Sequence, residues 1–377
     1  MKKAAILTWC DNNGVTNYGQ VLQCYALYSI CTSLGYDTEI IYYRNKDERD
    51  VWHGVSKLGI INRLYERYFK IIIIEKKNNK RIRRFRRFIK KNIVVSKPFY
   101  DERRLKEYTK DYDVLICGSD QIWNPLWYKP AFALSFASAN QKRIAYAPSG
   151  VIMEDDYSNG VYREIAGYID KFDAVSVRED CSVDILKKYT TKEITSVLDP
   201  SMLLTEEEWK SKMAKRQEKE PYIFCYTLGA LRKYKHILKY LMKRCGAKKV
   251  LYIPTNLFEE SENELGVFKA VKDAGLAEFL SLIYYAEYVC TDSYHGMAMS
   301  LKFGKQFCTL GREQDGSEYI ASEERQKTLL KKVGVENRKV NCKRDVDSLS
   351  IIDFFVVGRN LNYEIDSSMC YIVNSII

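Results

Sequence analysis

Histidine is scarce in this chain, with three among 377 residues. A side chain that titrates near neutrality is therefore confined to His53, His236 and His295. The 11 cysteines include no C-x-x-C pair and no metal-ligand spacing, which argues against a structural zinc site. Most lie in apolar runs, such as Cys117, Cys225 and Cys290, as reduced, buried thiols of a cytoplasmic protein do. No apolar run reaches the ~18 residues that a membrane span needs. Ile71 to Ile74 is too short, and the stretch from Ile351 is broken by Arg359, Asn360 and Asn362. The opening MKKAAILTWCDNN loses its apolar character at Asp11 and offers no small-residue cleavage site, so it reads as a first β-strand rather than a signal peptide. Internal repeats and low-complexity tracts are also missing. What remains is ordinary globular composition, 46% hydrophobic and 29% charged, in a chain long enough for two domains.

Acidic residues are absent from one stretch in particular. Lys76 to Lys91, KKNNKRIRRFRRFIKK, carries ten basic residues within a net formal charge of +11. A solvated basic helix explains it, with Ile82, Phe85, Phe88 and Ile89 as the buried face. An anionic membrane surface or an anionic substrate also explains it. Nucleic acid is disfavoured because no zinc-finger, RNA-binding or helix-turn-helix signature accompanies the charge.

Short apolar runs alternate with amphipathic helical patterns along the whole chain. Strands are expected at Ala4–Trp9, Thr38–Tyr43, Asp113–Cys117, Arg143–Ala147 and Ala174–Val177. A second set is expected at Tyr222–Tyr226, Lys249–Ile253, Tyr288–Thr291 and Gln306–Thr309. Continuous apolar strands separated by helices specify parallel sheets covered on both faces. The pattern predicts an α/β protein of two Rossmann-like domains facing a cleft. The first spans 1–200, with a basic helical insertion at about 60–95, and the second spans 201–345. A tail at 346–377 is expected to pack back on the first domain.

Ligands of such sheets collect at the carboxyl ends of strands, often at helix N-termini. Four strand ends present polar groups. Asn17 caps a helix starting at Tyr18, with Gly19 in the first turn placed to let a ligand approach the backbone. Gly118 to Asp120 follow the third strand. Arg178 and Glu179 follow the fifth. In VCTDSYHGMAMSLKFGK, Ser293 caps a helix that places His295 in its first turn, where a proton donor and free N–H groups suit an anion. Asp292 either orients His295 or anchors the helix, and anchoring is favoured. Asp120, Gln121 and Trp123 suit either a sugar, through hydrogen bonds and ring stacking, or a tight turn with the indole in the core. Asp199 and Pro200 are expected to set the interdomain turn.

Taken in order, NYGQVLQCYAL, DVLICGSDQIWNP, VSVRED, VLDPSMLL, TDSYHGMAMSLKFGKQF and SEERQKTLLKKVGV resemble the polysaccharide pyruvyl transferase family, from about Ile6 to Val335. The resemblance implies a GT-B-like fold and transfer of the pyruvyl group of phosphoenolpyruvate onto two hydroxyls of one sugar, with release of phosphate. It needs no cofactor or metal, since phosphoenolpyruvate is itself the donor. His295 and Arg178 match residues that serve the donor in characterised relatives, and Arg325 matches a recurrent arginine. The donor site is thus expected at Arg178, Ser293, Tyr294, His295, Gly296 and Arg325. The acceptor is expected at Asn17, Tyr18, Gly19, Ser119, Asp120, Gln121 and Trp123. Arg178 would grip an oxyanion pair in a bidentate fork, and His295 would act as general acid. One branch has a second arginine two residues before the histidine, where this chain has Ser293; Arg325, Lys302 or Arg312 are the replacements the sequence offers. The expected setting is the cytoplasm, with a peripheral position at the inner face of the cell membrane as an option, a lipid-linked oligosaccharide as one form of the acceptor and no nucleic acid. A nucleotide-sugar glycosyltransferase or a scaffold that has lost the chemistry are the alternatives.

Overall fold

The computed structural model describes residues 1–10, 17–44, 80–229, 231–254, 266–311 and 317–377. His53, Arg312 and the part of the basic insertion before Lys80 lie outside the described residues. Two wholly parallel six-stranded sheets organise the rest. The first contains β1 (Lys3–Leu7), β2 (Asp37–Ile41), β3 (Val114–Cys117), β4 (Lys142–Ala145), β5 (Ala174–Val177) and β6 (Thr195–Ser196) in the order β2-β1-β3-β4-β5-β6. The second contains β7 (Tyr222–Tyr226), β8 (Lys249–Tyr252), β9 (Phe268–Ala270), β10 (Tyr288–Thr291), β11 (Phe307–Leu310) and β12 (Lys339–Val340) in the order β12-β11-β10-β7-β8-β9. The arrangement is α/β with two Rossmann-like domains, GT-B-like as expected. Every residue of β3, β7 and β11 is buried, which is why these strands read as unbroken apolar runs. The strands not expected from the sequence, β6, β9 and β12, are two or three residues long at sheet edges. Segments so short carry no periodicity.

The strand order reverses between β1 and β3 in the first sheet and between β7 and β10 in the second. Such switch points open crevices at the carboxyl ends of parallel strands, and both expected loops, Gly118–Asp120 and Asp292–His295, leave from them. An aromatic cluster joins the domains. Tyr18 stacks on Phe279 at 4.3 Å and packs against Phe85 and Tyr226, while its hydroxyl donates to the Ala274 carbonyl at 2.6 Å. The helix Phe354–Ile376 returns to the first sheet: Tyr371 donates to the Ala145 carbonyl and Tyr36 to the Ile376 carbonyl. All 11 cysteines are free thiols. Among the described residues, no helix is long and apolar enough to cross a membrane.

Candidate active site between the domains

The helix Tyr294–Lys302 starts where the sequence places it. Ser293 is its N-cap, accepting from the Gly296 N–H at 3.4 Å, and its own N–H donates to the Thr291 hydroxyl at 3.0 Å. A Cβ on Gly296 would lie 2.5 Å from that hydroxyl oxygen, so glycine lets the helix start close against its strand. Asp292 anchors: its two carboxylate oxygens accept from the Leu228 and Gly229 N–H groups at 2.7 and 2.8 Å. His295 is left nearly buried at the switch point, with 7% exposure.

From the opposite domain, β5 delivers Arg178, which is also buried. Its Nη1 donates to Asp199 Oδ2 at 2.8 Å and its Nε to Glu179 Oε1 at 3.1 Å. The Tyr294 ring lies over the guanidinium, 4.5 Å from ring centroid to Cζ. Two of the guanidinium nitrogens expected to grip an oxyanion pair are thus already engaged. A guanidinium this deep needs compensating carboxylates, and the protein supplies two. Burial opposes the charge of Arg178, but Glu179 and Asp199 outweigh it and raise its pKa. Of its nitrogens, Nη2 is the one buried without a hydrogen-bond partner among the described residues. Glu179 is held in turn by the hydroxyls of Ser149 and Ser182.

Asp199 is the residue that sequence reasoning undervalued. It does cap the turn Pro200–Met202, accepting from the Ser201 N–H and hydroxyl on Oδ1. Its other oxygen is the meeting point of the site. Oδ2 accepts from Arg178 and, at 3.2 Å, from the Ser119 hydroxyl, and it lies 3.4 Å from His295 Nε2. That last distance is an electrostatic contact; Nε2 has no hydrogen-bond partner among the described residues. Burial would raise the pKa of Asp199, yet the charges of His295 and Arg178 and the Ser201 hydrogen bonds hold it well below the usual carboxylate range. A sequence signal existed: Asp199 is the lone charged residue between Glu193 and Glu206, inside an apolar run.

The acceptor expectations divide. Ser119 enters the site, with its N–H held by Gln23 Oε1 at 3.2 Å, a second contributor that the sequence did not flag. Asp120 is buried in a left-handed turn, φ 67°, and binds the Gln121 N–H. Gln121 is half-buried and accepts from Asn124. Trp123 is corrected: its indole is fully buried in the first domain's core and donates to the Phe132 carbonyl, leaving no face for a sugar. Tyr18 is likewise corrected, because its ring and hydroxyl are engaged in the interdomain cluster. Asn17 is exposed and caps its helix through the Gln20 N–H. Gly19 does permit a close approach, but by His295 rather than by a ligand: a Cβ there would sit 2.2 Å from His295 Nδ1.

Among the proposed substitutes for an arginine at 293, Lys302 is ruled out by position. Its ammonium donates to the Met202 carbonyl at 2.9 Å, about two turns beyond His295, and burial pulls its pKa down to about 8. Arg325 is half-buried on the helix Ser317–Val333, and its charge acts on the Tyr294 phenol. His236 is exposed, away from these residues on the helix Lys235–Cys245. The inner site thus sets two carboxylates against one guanidinium. An anion entering it needs added positive charge, and Arg325 is a further cation whose charge is felt at Tyr294.

The profile of the polysaccharide pyruvyl transferase family matches residues 17–314, a span that holds Gly19, Ser119, Arg178, Asp199 and His295. No curated protein matches the chain in sequence. Among solved structures, UDP-GlcNAc 2-epimerase from Neisseria meningitidis bound to UDP-GlcNAc is similar with a TM-score of 0.52 at 8% identity, covering 98% of this chain and 100% of that one. The S. aureus MnaA–UDP co-structure gives 0.51 at 10% identity, covering 100% and 98%. Identities this low establish the shared two-domain fold and nothing about ligands.

Proposed function

Because the chain belongs to the polysaccharide pyruvyl transferase family and is therefore a transferase, we propose that it forms a cyclic pyruvate ketal on a sugar of a bacterial cell-surface polysaccharide precursor, with phosphoenolpyruvate as donor. The observation that carries this reading is the convergence, on Asp199 Oδ2, of Arg178 from one domain and His295 from the other. Two buried nitrogens there, Arg178 Nη2 and His295 Nε2, lack hydrogen-bond partners among the described residues. A carboxylate-phosphate donor supplies the acceptors that both require.

The steps follow from the residues. His295, protonated and steadied by Asp199, gives its Nε2 proton to the methylene carbon of the donor. The adjacent carbon becomes an oxocarbenium-like electrophile. One sugar hydroxyl adds there and its proton passes to His295, which regains the proton it gave up. The carbon–oxygen bond to phosphate then breaks, a second hydroxyl of the same sugar closes the ring, and its proton balances the departing phosphate. Arg178 and the N-terminus of the Ser293-capped helix hold the donor's negative charge throughout. Arg325 takes part of the role that an arginine at 293 would have. The acceptor enters past Asn17, Ser119, Asp120 and Gln121, and a lipid-linked oligosaccharide is the form we favour.

Turnover in heavy water with an acceptor preparation tests the chemistry. The ketal methyl should carry one deuterium, with phosphate released in step, and His295→Gln should lower the rate by about 10²–10⁴-fold. The runner-up, a nucleotide-sugar glycosyltransferase, draws on Ser293 and on the carboxylate excess around Arg178. Glycosyl transfer from a nucleotide sugar with no consumption of phosphoenolpyruvate would replace the present reading with that one.

A further inference from the structure

The helix Lys80–Asn92 carries eight basic residues and no acidic one, and the fold sorts those charges into two groups. Three tie this helix to the second domain, Arg81 buried, Arg84 half-buried and Lys80 at the surface. Arg81 donates through Nε to the Lys272 carbonyl and through Nη1 to the Pro254 carbonyl, at 2.8 and 2.9 Å. Arg84 donates to the Asp273 carbonyl and pairs with Glu278, and Lys80 pairs with Asp273. The other five, Arg83, Arg86, Arg87, Lys90 and Lys91, are exposed. None reaches a carboxylate among the described residues.

Their spacing, i, i+3, i+4, i+7 and i+8, places all five on one stripe about 12 Å long, opposite the buried Ile82, Phe85 and Phe88. Beside the stripe runs a groove of about 400 Å³, lined in part by Arg84, Arg87, Lys91, Lys212 and the Ser211 segment. Its one acidic residue, Glu278, already pairs with Arg84. Val94, which is 54% exposed, follows the end of the helix. The carbonyls gripped by Arg81 lie just past the ends of β8 and β9, on the same edge of the second sheet that presents His295 at the end of β10.

We propose that this face docks on an anionic phospholipid bilayer, with one headgroup phosphate seated in the groove among Arg87, Lys91 and Lys212. A row of unpaired cations on a convex helix matches a plane of anionic headgroups. The groove takes a single phosphate, and Val94 adds an apolar group at the rim. The exposed stripe holds only lysine and arginine, with no aromatic ring on which a base would stack and no amide to read a base edge, so a lipid surface fits better than nucleic acid. Docking along this flank brings the mouth of the cleft close to the headgroup layer.

The test is co-sedimentation of the full chain with vesicles of phosphatidylcholine alone, or with one-third phosphatidylglycerol, over a range of salt. Each basic residue near such a surface contributes about fivefold in affinity. The wild type should bind only the anionic vesicles and release with salt. Arg83→Glu/Arg87→Glu/Lys91→Glu should bind at least about a hundredfold more weakly with an unchanged unfolding midpoint. A neutral Gln version should fall between the two. Equal binding to both vesicles, indifference to charge reversal, or displacement from the vesicles by a short DNA duplex would overturn the proposal. The assay uses neither donor nor acceptor, so its failure would leave the proposed reaction standing.

Discussion

Arginine does opposite work in two regions of this protein. Arg178 is buried, bonded to two carboxylates and covered by an aromatic ring. Arg83, Arg86 and Arg87 on the basic helix stand in water with no carboxylate partner among the described residues. The first is a fixed electrostatic part whose neighbours depend on it. The second group is a replaceable patch whose charge matters only to something outside the chain. Position relative to the sheets makes the difference: one arginine sits at a strand's carboxyl end under the opposite domain, the others on the outer face of a covering helix.

Removing the buried arginine should therefore have the largest effect. Arg178→Met strands Asp199 and Glu179 without their cation and should cost about 3–5 kcal/mol in urea unfolding. Adding Asp199→Asn should recover part of that loss, and simple additivity of the two would break the idea of a coupled pair. Asp199→Asn alone should cost about 1–3 kcal/mol and lower kcat by about a hundredfold or more, since the carboxylate that steadies His295 is gone. Gly19→Ala separates geometry from propensity. Alanine in a helix is worth about 0.5–1 kcal/mol over glycine, but its Cβ would overlap the nearly buried His295 ring, so stability should fall by about 1–3 kcal/mol. Activity should also fall at least tenfold, roughly the cost of about 1.4 kcal/mol in the transition state; full activity would show that the Gly19–His295 contact is dispensable.

Lys302 lies between the two extremes, as a half-buried cation with a carbonyl but no carboxylate ion pair among the described residues. Its pKa, lowered to about 8 from 10.5 by burial, means that the native state holds fewer protons than the unfolded chain between those values. Stability from this group therefore rises as pH climbs from about 8 to 10.5, and below 8 the buried charge is a standing penalty. Lys302→Met should flatten that segment of the stability–pH curve. At the far end, Arg86→Ala should change stability by no more than about 0.5 kcal/mol.

The sequence carried the fold well because buried parallel strands announce themselves as apolar runs. It carried the His295 helix to the residue, because Ser293 and Gly296 are local signals. It failed where a role depends on distant partners. Nothing local reveals that Asp199 collects Arg178, Ser119 and His295 from three other segments, or that the glycine at 19 makes room for a histidine 276 positions away. The same limit explains Trp123 and Tyr18: an aromatic near a glycine reads alike whether it faces a ligand or the core, and only distant partners decide, the Phe132 carbonyl that takes the indole N–H and the Phe279 ring that stacks on Tyr18.

The central claim is that Arg178, Asp199 and His295 form one donor site across the two domains. Calorimetric titration of phosphoenolpyruvate into the wild type, Asp199→Asn and His295→Gln tests it most directly, because no acceptor is needed. The account predicts one site per chain in the wild type and at least tenfold weaker binding, about 1.4 kcal/mol or more, in both folded variants. Undiminished binding in both variants, or a wild type that ignores phosphoenolpyruvate and binds a nucleotide sugar instead, would contradict it.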